Sequence, residues 1–209
     1  MRDYLSDPVE IYRRSFATIR AEADLSGFAA PARPIAERVI HACGMTDIVA
    51  DLRITAALPA ALAGALMAGK PIFTDSEMVR HGIIARALPG GVEIICTLND
   101  SKAREHGLGR QITRSAAAVS LWLPRLAGAI VVIGNAPTAL FALLEALDAG
   151  ADKPAAIIGM PVGFIGAKES KDELAENPRG VPFATILGRR GGSAMASSVI
   201  NAITAELAP

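Results

Sequence analysis

The sequence predicts an α/β fold: a single-domain three-layer sandwich in which a mainly parallel sheet is flanked by helices. Three observations lead there. Apolar runs of strand length alternate with helical stretches along the chain. Hydrophobic residues make up 51 % of the 209 but aromatics only 4 %, so the apolar mass is aliphatic, as in buried parallel strands covered by small-residue helices. Gly and Pro stand at element ends instead of clustering into a linker, and there is no internal repeat, which predicts one domain over residues 1–209.

The elements follow in order. Asp7-Pro8-Val9-Glu10 opens a helix with a capping carboxylate, Pro at the first helical position and Glu three residues after the cap. It runs to about residue 23, with Ile11, Phe16 and Ile19 at near-helical spacing. A second helix over 34–43 places Ile35, Val39 and Ala42 on one side and stops at Gly44. Strands are expected at 48–54, 71–73, 92–97, 129–133, 155–158 and 182–187. Helices are expected at 59–68, 76–84, 111–123, 137–148, 168–176 and 193–207. A ligand crevice belongs where strand C-termini meet helix N-termini.

Composition removes several function classes. Lys+Arg and Asp+Glu each number 21, so the formal net charge is zero and no basic excess points to nucleic acid. Two distant cysteines, Cys43 and Cys96, make neither a disulfide framework nor a four-cysteine zinc site. The first sixteen residues lack the apolar core of a signal peptide. Mean hydropathy is high at +0.36. Yet no run approaches the ~18 uncharged apolar residues that a membrane span needs. The expectation is a cytoplasmic protein without a membrane or nucleic-acid partner.

Four segments carry possible chemistry. The turns Gly134-Asn135-Ala136-Pro137-Thr138 and Gly188-Arg189-Arg190-Gly191-Gly192-Ser193 each lead from a strand into a helix, where free amides and the helix dipole favour an anion. Neither has the spacing of a phosphate or dinucleotide loop, and both also read as tight turns with solvated side chains. The polar stretch 101–114 holds Lys102, Arg104, His106, Arg110 and Arg114 against one acid, Glu105, and reads as a basic loop able to clamp an anion. In a helix, Arg110 and Arg114 would share one face. The segment 163–170 reads as a mobile loop delivering Lys168.

No metal site is expected: His41, His81 and His106 form no HxH or HxxxH pair. His41 stands in the last turn of its helix, near the negative end of the dipole, which favours the imidazolium that a general acid requires. A structural histidine is the alternative. Cys43 follows it by two residues, about 200° round a helix, a poor catalytic pair. Asp75 and Glu77 read as a helix cap and first turn.

Several blocks taken together resemble the precorrin-8X methylmutase, or precorrin isomerase, family. They are the stretch 38–45 around His41, Lys70 to Asp75, Thr113-Arg114-Ser115-Ala116, Gly134 to Thr138, Gly159 to Phe164, and Lys168-Glu169-Ser170. Their order covers nearly the whole chain. The resemblance implies an isomerase of cobalamin biosynthesis that moves a methyl group from ring carbon 11 to ring carbon 12 of precorrin-8X, giving hydrogenobyrinic acid, without a cofactor. It implies His41 as the general acid that protonates the macrocycle, and a homodimer with its active site at the interface. The acetate and propionate carboxylates of such a tetrapyrrole give the basic residues a purpose. Arg114, Lys168, Asn135 and Thr138 are expected to hold them, with Tyr12 and Ser15 lining the pocket. Tyr12 and Ser15, three residues apart on the first helix, can face one cavity. Two alternatives remain: a non-catalytic tetrapyrrole carrier with His41 as an anchor, and a phosphate-dependent α/β enzyme using the turn 188–193.

Overall fold

The computed structural model describes residues 4–207. Its middle layer is one six-stranded sheet made of β1 (Leu52–Ile54), β2 (Ile72–Thr74), β3 (Ile94–Cys96), β4 (Ile130–Ile133), β5 (Ala156–Gly159) and β6 (Phe183–Ile186), laid side by side as β1-β6-β5-β4-β2-β3. Every neighbour is parallel except the edge strand β1, which pairs antiparallel with β6, Leu52 opposite Ile186. That reversal brings the start of β1 to the edge where the parallel strands end. The helices are α1 (Pro8–Glu22), α2 (Arg33–Cys43), α3 (Leu58–Met67), α4 (Glu77–Gly82), α5 (Ser101–Arg110), α6 (Arg114–Val119), α7 (Pro137–Asp148), α8 (Ala167–Glu176) and α9 (Ser193–Leu207).

The two-residue period of a strand divides the core. On β4, Ile130 and Val132 pack with α2, α3, α4 and α9 through Val39, Leu62, Val79 and Val199. Val131 and Ile133 face the opposite way, into Trp122, Leu140, Leu143 and Leu174 of the second layer. Trp122 is fully buried there, stacked on Phe73 at 5.7 Å, with its indole N–H donated to Thr97 Oγ1 at 2.8 Å. The three-layer α/β expectation therefore holds.

Several local expectations do not. The strand at 48–54 is mostly a 3₁₀ turn over Thr46–Ala50 that buries Ile48, with only Leu52–Ile54 extended. The basic loop at 101–114 is a helix as far as Arg110, capped by Asp100, whose side chain accepts from Lys102 N. It buries only Ala103 and Gly107, so no large apolar residue marks the period in sequence. Gln111 ends it in the left-handed conformation (φ 55°) before Thr113 caps α6, so Arg110 and Arg114 lie on separate helices, not one face. For the same reason the helix expected at 111–123 shortens to Arg114–Val119. Glu10 does not close a capping box either; it pairs sideways with Arg13 and Arg14.

Candidate active site

His41 faces outward because Ile35, Ala36, Val39 and Ile40 turn the other side of α2 into the core. Gly44 ends the helix at φ 69°, its N–H bonded to the Ile40 carbonyl. From α1, Phe16 stacks on the imidazole, ring centroids 5.0 Å apart and planes 25° from parallel, while Tyr12 lies at 6.3 Å. The Arg38 guanidinium spreads over both aromatic rings, 5.4 Å from Tyr12 and 5.3 Å from Phe16.

A cavity of about 560 Å³ opens beside His41 between α1 and α2, with Ser15, Thr18, Ile19, Gly44 and Thr46 in its walls. Ser15 shares it, as the helical spacing suggests. Tyr12 does not. Three residues along α1 turn a side chain by about 60° from its start, and Tyr12 lines a separate hollow of about 330 Å³ with Phe16, Arg20 and Arg38. The expected effect of the helix dipole is also outweighed. Partial burial, aided by the Arg38 charge, pulls the His41 pKa below its ordinary value. Burial pushes the Cys43 thiol up, which keeps it from acting as a thiolate.

The remaining candidates gather on the other face of the sheet, around the start of α7. Three amides of that turn are not free. Asp75, at the end of β2, accepts hydrogen bonds from the N–H groups of Gly134 (2.9 Å), Asn135 (2.9 Å) and Ala136 (2.7 Å). The anion in this cradle is the protein's own. Asp75 is buried and is not the helix cap; Ser76 caps α4, its hydroxyl accepting from Val79 N. In the sequence Asp75 reads as the cap, although Asp75-Ser76 offers two capping residues for one cap position, a signal that one has another task. Gly134 is required here: a Cβ would lie 2.8 Å from Val79 and 2.9 Å from Ala196.

What the turn presents outward is its side chains. Thr113 donates to Thr138 Oγ1 at 2.7 Å while accepting from Ala116 N, which ties the start of α6, and with it Arg114, to the start of α7. Lys168 stands at the second position of α8, not within a loop, and is paired with Asp172 one turn on. That partner holds the Lys168 ammonium above its ordinary pKa. Ahead of it, the segment after β5 exposes Phe164 and Ile165 almost fully, at 84 % and 91 %.

The turn 188–193 is also occupied. Arg190 bonds Asp47 at 2.6 Å and Asp51 at 2.7 Å, and Arg189 lies over Phe164 at 5.4 Å. Gly191 admits no side chain, since a Cβ would sit 2.4 Å from the Met160 carbonyl oxygen. Lys171, fully buried on α8, donates to the Arg190 carbonyl. This turn thus joins α8 to the segment that follows His41. Among the described residues, no hydrogen bond or ion pair joins His41 to Arg114, Asn135, Thr138 or Lys168, and none of those four lines the cavity beside it. No group of three or more His, Cys, Asp or Glu among the described residues is placed to hold a metal ion, and no helix there is long and apolar enough to cross a membrane.

A family model described as precorrin-8X methylmutase matches residues 10–206. The chain belongs to the precorrin-8X methylmutase family. The precorrin-8X methylmutase of Pseudomonas aeruginosa is 53 % identical to it over 206 residues, 99 % of each chain. The cobalt-precorrin-8 methylmutase of Priestia megaterium is 34 % identical over 198 residues, 94 % of this chain and 87 % of that one. The solved structure of precorrin-8X methyl mutase from Thermus thermophilus superposes with a TM-score of 0.84 at 34 % identity, over 94 % of this chain and 95 % of that one. The family resemblance read from the motif order therefore stands, and with it the class of enzyme, a methylmutase isomerase.

Proposed function

We propose that this chain catalyses the 11-to-12 methyl shift that turns precorrin-8X into hydrogenobyrinic acid in cobalamin biosynthesis, with His41 as the general acid. The observation that carries the reading is His41 itself, which lines a cavity of about 560 Å³ and stacks on Phe16. A proton given to the macrocycle withdraws electron density and drives methyl migration, and an apolar surrounding strengthens that effect. The imidazole borders the space a substrate would fill, while stacking on Phe16 fixes its aim. No cofactor is needed for a shift within one molecule.

Arg114, Asn135, Thr138 and Lys168 bind the peripheral carboxylates, with Ser15 and Tyr12 on the His41 side. Two features support a homodimer whose interface completes the site. The two sets of candidates lie on opposite faces of the sheet within one chain. Beside His41, α1 exposes Val9 (76 %), Ile11 (42 %) and Tyr12 (48 %), an apolar surface that a second copy would cover. The metal-free substrate is favoured because identity is 53 % to a relative named for precorrin-8X against 34 % to one named for cobalt-precorrin-8. Residues 1–209 act as one domain, in the cytoplasm.

The test is an absorption spectrum of the purified protein mixed with precorrin-8X, for the wild type and His41→Ala. The shift changes the conjugated system, so turnover moves the absorption bands. Conversion by the wild type, with binding but no conversion by His41→Ala, is the expected result. A general acid is worth about 10²–10⁴-fold in rate. Binding without conversion by both proteins would make this a carrier, and no binding by the wild type would reject the tetrapyrrole.

A further inference from the structure

The carboxylate of Asp75 is all but sealed from solvent, and no ion pair joins it to a cation among the described residues. It is 1 % exposed, and its partners are three consecutive backbone N–H groups at the start of α7. Such a row of amides at a helix N-terminus is where an external anion would otherwise settle. Here the chain supplies the anion from another strand, fifty-nine residues earlier than Gly134. The turn is hemmed in from its far side as well, because a Cβ on Gly134 would run into Val79 and Ala196.

We propose that Asp75 is a positioning residue for the isomerase reaction, aiming Asn135 and Thr138 at the substrate and, through Thr113, Arg114 as well. The inference rests on those three being substrate contacts, as proposed above. With three of its amides held from inside, the turn has little backbone left to offer a substrate carboxylate. Recognition passes to the side chains of Asn135 and Thr138. The fixed Thr138 hydroxyl then holds Thr113, which caps the helix that begins with Arg114. One buried carboxylate thus sets three candidate contacts, while His41, on the opposite face of the sheet, is out of its reach. Loss of Asp75 should weaken substrate binding and leave the chemical step alone.

The experiment uses Asp75→Ala and the isosteric Asp75→Asn, with thermal midpoint, KM and kcat for precorrin-8X measured on each. In Asp75→Ala the emptied cradle exposes three N–H donors to a space that formate fits. The expected result is a KM raised about tenfold or more, a kcat near the wild-type value, and a KM that falls again as formate, but not chloride, is added. Asp75→Asn should also raise KM, since its amide N–H₂ meets donors where a carboxylate met them before. Should Asp75→Ala fail to fold, Asp75→Asn carries the test alone. An unchanged KM in either folded variant overturns the proposal. So does formate that raises the thermal midpoint of Asp75→Ala while KM stays high, because Asp75 would then serve the fold alone. A wild type that does not convert precorrin-8X removes the underlying assignment instead, a result read before either variant is made.

Discussion

The His41 imidazole lies stacked on Phe16, 5.0 Å between centroids, and the Arg38 guanidinium lies over the same Phe16 ring at 5.3 Å. This arrangement disfavours the imidazolium in the free protein. A general acid needs that form, so kcat/KM should fall as the pH rises through a pKa below the ordinary histidine value. Substrate carboxylates arriving nearby favour the charged ring, so the pKa that governs kcat should be the higher of the two. Removing the shelf with Phe16→Ala re-exposes the ring and should move the kcat/KM limb to higher pH. Paired pH–rate profiles check this. A kcat/KM that is flat across about pH 5–8 would exclude histidine as the proton donor.

How much of this could be read from the sequence varies with the physics of each residue. The strands after position 70 were readable because both faces of a parallel sheet are covered, which leaves unbroken apolar runs such as Ile130–Ile133. The helix α7 was readable to the residue, from Pro137 and a dense run of leucines. The helix α5 was not, because the residues it buries are Ala103 and Gly107, the two smallest. His41 stood out through its position at a helix end, but the direction of its pKa shift depends on Phe16 and Arg38, a tertiary fact. Asp75 was hidden for the same reason: its partners are fifty-nine to sixty-one residues away. Local grammar identified it as a cap, and only the fold brings the amides to it.

Lys168 spends its charge on Asp172 in the same helix, with the lysine side chain still 62 % exposed. If Lys168 holds a substrate carboxylate, it must loosen or share that internal partner. Asp172→Asn should then bind the tetrapyrrole product as tightly as the wild type or more so, and Lys168→Met should bind it about tenfold less tightly. Titration of product absorbance against each protein measures both. Equal affinity for wild type and Lys168→Met would remove Lys168 from the site.

Far from the candidate site, Arg179 bonds Asp148 at the end of α7 and Glu173 on α8, each at 2.6 Å. Its side chain is only 9 % exposed, but both carboxylates are open to solvent, which reduces what the clip is worth. Arg179→Ala should cost about 1–2 kcal/mol, lowering the thermal midpoint by about 2–8 °C, with kcat and KM unchanged. Arg179 also sits at φ 54°. Arg179→Gly accepts that backbone freely and should be the milder loss, by up to about 1 kcal/mol. The Arg179 guanidinium holds Asp148 below the usual carboxylate range. The clip therefore acts above the ordinary aspartate pKa and is lost as the pH falls through the lowered one.

Lys171 is an ionisable side chain whose charge folding penalises. It is fully buried, with the Arg190 carbonyl as its hydrogen-bond acceptor, and burial lowers its pKa from 10.5 to about 8 despite the nearby Asp172 and Asp51. In the unfolded chain the proton stays on to about pH 10.4. Between those two values the unfolded state binds the extra proton, so stability rises with pH. Below about pH 8 both states carry it and the cost is constant. Lys171→Met removes this titration while keeping the volume. The stability of the wild type relative to Lys171→Met should therefore grow as the pH is raised from about 8 to about 10, by up to ~1.4 kcal/mol per pH unit. Thermal midpoints of the two proteins in matched buffers measure the difference directly. Parallel curves would mean that Lys171 keeps its charge in the fold. In that case the Arg190 carbonyl and the acids around it, Asp51 and Asp172, offset the burial, and the turn joining α8 to the His41 segment is held by a full ammonium.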